Sequence, residues 1–258
     1  MNRLQTAMVS SFRSVGFALC AMLLVTGCGS KKQPQARVPA PPSVEASSPK
    51  PRPASRRVDT AQGVDTRVDA DAYRNVKPIY VETGVASWYG PPYHNRKTAN
   101  GEVFDMNIPS AAHKTLPLNS LVRVTALANG KSAILRITDR GPFIGDRVLD
   151  LSLGAAKDLG VWRMGLAKVK IEVLEAPKPL DSGGRWCVQI GAFADTDGAT
   201  KLKEKLMRKY KSAKVIQFAG PTGDWVRIRP LQDDRSRSYE IARDTRVNEG
   251  GVFLVRLD

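Results

Sequence analysis

Between Ser30 and about Pro78 the chain carries few large apolar side chains, and prolines recur at Pro34, Pro39, Pro41, Pro42, Pro49, Pro51 and Pro53. Ser and Ala fill much of the space between them. Such a stretch cannot bury enough apolar surface to offset the entropy of ordering it, so it reads as a linker. If flexible, its ~50 residues span roughly 40 Å on average, and about 150 Å when drawn out as a polyproline-like chain. Whatever folds must be built from the residues beyond it.

Ahead of the linker, Arg3 and Arg13 precede an apolar run from Val15 to Val25 that stops at Thr26-Gly27-Cys28. A basic start, a short apolar core and a small residue at the cut mark residues 1–27 as a signal peptide. The core falls short of the about 20 apolar residues a permanent membrane helix needs. Cys28 follows Leu24-Val25-Thr26-Gly27, which resembles the lipobox of bacterial lipoproteins, where the cysteine is acylated and becomes the new N-terminus. A secreted protein cut nearby is the alternative. Several acyl chains on one residue anchor far better than one. Gly29 rather than Asp follows the cysteine; in Gram-negative lipoproteins this implies the outer membrane. Residues 28–78 then form a lipid-anchored tether reaching from the membrane towards the cell wall.

The chain has three cysteines. Cys20 lies in the leader and Cys28 is the lipid site, so Cys187 has no partner and a disulfide framework is excluded. Its neighbours Trp186, Val188 and Ile190 suggest a buried strand thiol. The net charge of +15 is spread over leader, linker and both folded segments. Nucleic acid is the usual partner of so basic a chain. Export argues against it and in favour of an anionic envelope polymer or lipid head groups.

Residues 79–176 are rich in strand-like runs: Gly84–Tyr89, Leu121–Ala126, Ile134–Asp139, Arg147–Leu151 and Lys168–Leu174. In the last, Val169, Ile171 and Val173 face inward while Lys168, Lys170 and Glu172 face out. Ser152 caps one helix that buries Leu153, Ala156 and Leu159 and stops at Gly160. Many short strands in about a hundred residues favour a small closed barrel. Alternation places Asp139 on one face with Leu135 and Ile137, so an acid ends an apolar row. Partial desolvation there would favour its protonated form and suit a general acid. Asp before Arg140-Gly141-Pro142 is also ordinary turn chemistry. After a short linker, 177–183, residues 184–258 read strand, helix, strand, strand, helix, strand. The strands are Arg185–Ile190, Ala213–Phe218, Asp224–Arg229 and Gly251–Arg256; the helices start near Asp195 and run from Asp233 to about Val247. That order fits an α+β ferredoxin-like (βαββαβ) sandwich, helices on one face and an open sheet on the other.

Five motifs stand in order: Ala86-Ser87-Trp88-Tyr89-Gly90, Thr98-Ala99-Asn100-Gly101-Glu102, Ala111-Ala112-His113-Lys114-Thr115-Leu116-Pro117, Thr138-Asp139-Arg140-Gly141-Pro142-Phe143 and Asp150-Leu151-Ser152. Together they resemble the rare lipoprotein A family of septal-ring lytic transglycosylases, whose core is an all-β double-psi β-barrel. Trp186-Cys187-Val188-Gln189-Ile190-Gly191-Ala192-Phe193 with Trp225-Val226-Arg227-Ile228 resembles the sporulation-related repeat (SPOR) domain, which binds peptidoglycan glycans stripped of stem peptides.

The resemblance implies cleavage of the β-1,4 bond between N-acetylmuramic acid and N-acetylglucosamine, with the sugar's own 6-hydroxyl forming a 1,6-anhydro ring. Ordinary glycosidases need two carboxylates; here one acid/base suffices, and neither metal nor cofactor is expected. Asp139 is the candidate acid/base. Glu102, held at a strand rim by the Asn100-Gly101 turn, is the second, able to raise the pKa of Asp139 or stabilise positive charge. His113 could bind sugar hydroxyls or orient a carboxylate, or make a structural hydrogen bond within the barrel loop. Trp88 and Tyr89 could stack on sugars, although strand spacing favours core packing for at least one. In the C-terminal domain, Arg227 suits the free lactyl carboxylates of denuded strands, with Gln189 and Phe193 as hydrogen-bonding and stacking partners or as ordinary sheet surface. The sheet also looks like RNA-binding surfaces, which export again opposes. The expected protein is an endolytic, septum-directed envelope lipoprotein acting on denuded strands, with any divisome or amidase partners unspecified. The alternative is a non-enzymatic, expansin-like glycan binder.

Overall fold

The computed structural model describes residues 71–258; the leader, Cys28 and most of the linker lie outside the described residues. Six strands close into a barrel: β1 (Tyr80–Tyr89), β2 (Ser110–His113), β3 (Leu121–Ala126), β4 (Ser132–Asp139), β5 (Leu149–Ser152) and β6 (Leu166–Glu175). Their order around the barrel is β1-β5-β2-β4-β3-β6, and β6 pairs back onto β1. The β1–β5 and β2–β4 pairs are parallel and the others antiparallel. Closure removes the sheet edges. Val122 and Val124 on β3, Leu135 and Ile137 on β4, and Val169 and Ile171 on β6 fill the interior, as alternation requires. This is the double-psi barrel that the motifs imply.

The helix α1 (Leu153–Asp158) starts at the Ser152 cap, whose Oγ accepts the Ala155 N–H at 3.2 Å. Gly154 lies so close to the loop before β2 that a Cβ there would sit 2.2 Å from the Asn107 carbonyl oxygen. The strand β1 begins at Tyr80 instead of Gly84, because antiparallel pairing to β6 runs from Tyr80 to Ser87. The strand β5 starts at Leu149, leaving Arg147 in the preceding turn. The strand β2 is not visible as a pattern: its four residues are all buried, so they show no alternation.

The pairing of β2 with β4 contains a bulge that decides where Asp139 points. Ala111 pairs with Ile137, but Ala112 pairs with Asp139, so Thr138 is the extra residue. A bulge re-aims the side chains that follow it. Asp139 therefore leaves the inward row of Leu135 and Ile137 and joins the outward face of Ala112. The expectation of a shared face fails for this reason. Ala112 pairs in turn with Asp150 on β5, and Asp150 with Ser87 on β1. Asp139, Ala112, Asp150 and Ser87 form one row across four strands, with roughly 10 Å between the backbones of the two acids.

The C-terminal domain comprises β7 (Trp186–Phe193), α2 (Thr196–Lys209), β8 (Lys214–Gly220), β9 (Gly223–Arg229), α3 (Arg235–Asp244) and β10 (Gly251–Arg256). The sheet order β10-β7-β9-β8, antiparallel throughout, is the ferredoxin-like arrangement. Val188, Ile190, Val226 and Ile228 meet Ala199 and Leu206 of α2 and Ile241 of α3 in its core. The helix α3 is shorter than expected because Asp233 is taken by Arg229 and Arg185 and Asp234 supplies the cap, accepting from the Arg237 N–H at 2.6 Å.

The opposite sheet face, expected to be open, is covered by the barrel. Phe143, in the loop after β4, meets Trp225 and Phe253 edge-on, with ring centres 5.5 and 5.6 Å apart. Arg140 ties the two domains together. Its Nη1 donates to the carbonyls of His113 (3.0 Å) and Leu116 (2.6 Å), and its Nη2 to the carbonyl of Asp258 (2.9 Å). Burial, with Arg256 nearby, lowers this guanidinium to about 10, so it stays charged at neutral pH. Replacing it strands three acceptors. Arg140→Met should cost about 3 kcal/mol, the upper range for hydrogen bonds to a charged group, read as a lower urea midpoint. It should also split a single unfolding transition into two; an unchanged single transition would refute the anchoring role.

Candidate active site

Asp139 stands where β4 runs into the loop that reaches the C-terminal sheet. Its Oδ1 accepts the N–H groups of Ala99 (3.0 Å) and Arg140 (2.8 Å). Burial nevertheless raises its pKa above the usual carboxylate value, outweighing those bonds and the Arg140 charge, and Asp150 adds to the rise. The acid form therefore survives to higher pH than it would in water.

Asp150 is the residue that sequence reasoning missed as a functional group. It lines the same cleft of about 200 Å³ as Asp139, together with Tyr89, Tyr93 and Arg147. Ser87 Oγ donates to its Oδ1 and Arg147 lies 3.6 Å away. Burial raises its pKa as well, against those two contacts. The signal was present: Asp150 alternates with the inward Leu149 and Leu151, so an acid on the outer face was predictable. Tyr89 stacks on Phe104 with ring centres 4.4 Å apart and meets Tyr93 edge-on. Burial and the two acids push the Tyr89 phenol well above its ordinary value, and Tyr93 moves the same way. Both remain protonated at neutral pH, and the Tyr89 hydroxyl is itself buried.

Glu102 does not line the Asp139 cleft. It makes a two-pronged ion pair with Arg136, at 2.8 and 3.0 Å, in a separate hollow with Phe104, Asp105 and Ile108. Arg136 precedes the bulge on β4 and lines that hollow, not the cleft of Asp139 and Asp150. The pair pins the Thr98–Glu102 turn to β4, where the Asn100 N–H also reaches the Thr138 carbonyl at 3.1 Å. That is how the Ala99 N–H comes to face Asp139. Glu102 thus touches the Asp139 site through the turn that it helps to hold, and not by lining the cleft.

His113 is buried at the end of β2. Its Nδ1 accepts from the Thr115 and Leu116 N–H groups at 3.1 and 3.0 Å, which leaves the proton on Nε2 to face Glu82 at 3.1 Å. Burial lowers its pKa despite Glu82, so the ring is neutral at neutral pH. It orients Glu82 and the loop that carries Arg140's acceptors, away from the Asp139 cleft. Trp88 faces the other way from Tyr89, packs against the barrel core and donates from Nε1 to the Trp162 carbonyl at 2.9 Å.

Of the C-terminal candidates, Phe193 sits in the core between sheet and helix. The register shift between Gly191 and Phe193 carries it there, so its ring is taken by packing. Gln189 and Arg227 are on the opposite face, where Arg227 Nη2 donates to Gln189 Oε1 at 2.7 Å and its guanidinium lies 5.1 Å over Phe218. Gln189 lines the cleft of Asp139 and Asp150. Cys187 is buried and unpaired, and burial pushes its thiol up to about 11, which leaves it inert.

Comparison with known proteins agrees with the fold. A lytic transglycolase family model matches residues 81–171 and a SPOR domain model residues 182–233. An endolytic peptidoglycan transglycosylase RlpA of Pseudomonas aeruginosa is 56% identical over 191 residues, covering 72% of this chain and 53% of that protein. The protein of the same description from Helicobacter pylori is 38% identical over 161 residues, 51% of either chain. The chain thus spans about half the length of these two relatives. The Vibrio cholerae counterpart is 39% identical over 203 residues, covering 72% of this chain and 77% of that protein. With both domain models matched in order and more than three quarters of one relative covered, the chain belongs to the RlpA family.

Proposed function

We propose that this protein is an endolytic peptidoglycan lytic transglycosylase with Asp139 as its acid/base. The observation that carries the reading is the bulge that turns a buried, pKa-raised carboxyl out of the barrel into a cleft. Protonated Asp139 gives its proton to the oxygen bridging N-acetylmuramic acid and N-acetylglucosamine, and the bond from that oxygen to the anomeric carbon breaks. The muramoyl 6-hydroxyl then attacks the same carbon and passes its proton to the Asp139 carboxylate. The products are a 1,6-anhydromuramoyl end and a free N-acetylglucosamine end, with no water consumed and the acid restored. Asp150, held by Ser87, supplies negative charge opposite the cationic anomeric centre. Tyr93, which lines the cleft, is suited to holding a sugar oxygen.

We infer further that denuded strands are preferred and that the C-terminal domain brings the enzyme to the division septum, consistent with the family to which the chain belongs. Export through residues 1–27, acylation of Cys28 and tethering by 28–78 to the outer membrane belong to the same proposal. They rest on sequence that lies mostly outside the described residues, and the proposed limits of the two domains are 79–176 and 184–258.

Purified protein incubated with amidase-treated sacculi should release fragments with anhydromuramyl ends, detected by mass analysis; their absence would favour a glycan binder without turnover. Asp139→Asn should lower the yield by at least ~100-fold, the scale of general acid catalysis, and full activity would overturn the mechanism. Because the reaction needs protonated Asp139, kcat/KM should fall as pH rises through its raised pKa. Asp150→Asn removes a charge that helps hold that pKa up, so the falling limb should move to lower pH; an unmoved limb would detach Asp150 from Asp139. In cells, a fluorescent fusion ending at residue 183 should lose septal enrichment relative to the full chain, and equal enrichment would refute targeting by the C-terminal domain.

A further inference from the structure

The sheet face that carries Gln189 and Arg227 is turned towards the barrel's acid. A cleft of about 470 Å³, within the range of ligand sites, has walls from both domains: Arg96, Lys97 and Asp139 from the barrel, Gln189, Phe218 and Arg227 from the sheet. Asp139 is its one acidic lining residue. Among the described residues no carboxylate lies within salt-bridge reach of Arg96, Lys97 or Arg227. Arg227 is held in place by Gln189 and by the Phe218 ring, and its Nε is buried without an acceptor. A buried donor of this kind costs free energy until an acceptor arrives. A guanidinium fixed by stacking is suited to a carboxylate.

We propose that barrel and sheet form a single binding site for an anionic glycan, in which Arg227 takes a lactyl carboxylate of the same strand that Asp139 acts on. The inference rests on the transglycosylase reading for the role of Asp139 and deepens it. The C-terminal domain is then part of the substrate site as well as an address. Discrimination against strands bearing stem peptides occurs at the reaction itself, because a stem peptide converts the lactyl carboxylate into an amide and removes the anion that Arg227 and the barrel cations attract. It also adds bulk to a cleft walled on its far side by the sheet.

The test is calorimetric titration of the full chain, carrying Asp139→Asn to prevent turnover, with a denuded tetrasaccharide of alternating N-acetylglucosamine and N-acetylmuramic acid. One tetrasaccharide should bind per chain. Arg227→Gln and, separately, Arg96→Gln should each weaken that one site by about tenfold, the scale of a lost charge-assisted hydrogen bond. Converting the lactyl carboxylates to amides should weaken binding similarly without any further substitution in the protein, and Arg227→Gln should then make little further difference. Two tetrasaccharides per chain, no binding, or a site indifferent to either arginine would overturn the proposal. The sacculus digest judges the other reading separately. Anhydro ends with two independent binding sites would keep the enzyme and sink the shared cleft, while carboxylate-dependent one-to-one binding without anhydro ends would do the reverse.

Discussion

A barrel interior packed with Val, Leu and Ile has no place for a carboxylate, yet plain alternation along β4 would send Asp139 there after Leu135 and Ile137. Burying an isolated charge among hydrocarbons costs far more than a small domain can spare. The one extra residue at Thr138 resolves the conflict. It turns Asp139 outward, beside Ala112, and lines it up with Asp150 across the neighbouring strands. The remaining features of the site depend on that turn: the Ala99 N–H supplied by the pinned Thr98–Glu102 loop, the two tyrosines, and a chain direction that carries Arg140 towards the second domain.

Residues within one short stretch after the bulge divide the work. Asp139 faces the cleft, Arg140 binds carbonyls of the barrel and of Asp258 beyond β10, and Phe143 fills the aromatic contact with Trp225 and Phe253. Any shift of the C-terminal sheet against the barrel is therefore felt at the backbone of the acid. Site and domain joint are one piece of chain, and the stability of the joint sets how well the acid is held.

Much of this was legible in the sequence. Strands β3, β4 and β6 announce themselves by alternation, α1 and α2 by Ser152 and Asp195 as caps, and the βαββαβ order by spacing alone. Asp139, Tyr89, Gln189 and Arg227 do gather around adjoining clefts. What stayed hidden depends on partners distant in the chain. The bulge is a mismatch between two strands and leaves no mark on either one, so the face of Asp139 was misread. Glu102 and His113 sit in motifs beside the acid, yet Arg136 and Glu82 claim their side chains. Phe193 lies one bulge away from the face that its neighbours in the strand suggested. Asp150 stands in plain alternation between Leu149 and Leu151, but that it shares a row with Asp139 depends on the same bulge.

Ala112 has no chemistry of its own, but its methyl is the one side chain standing between Asp139 and Asp150 in their row, and the Cβ position of Gly141 lies 3.8 Å from it. Its size thus fixes how much water, or how much sugar, can occupy the gap between the two acids. A branched side chain would fill that gap with hydrocarbon, thickening the insulation around both carboxyls and, in the proposed mechanism, closing the path of a glycosidic oxygen to Asp139. The width of the gap between the two acids is set by an alanine.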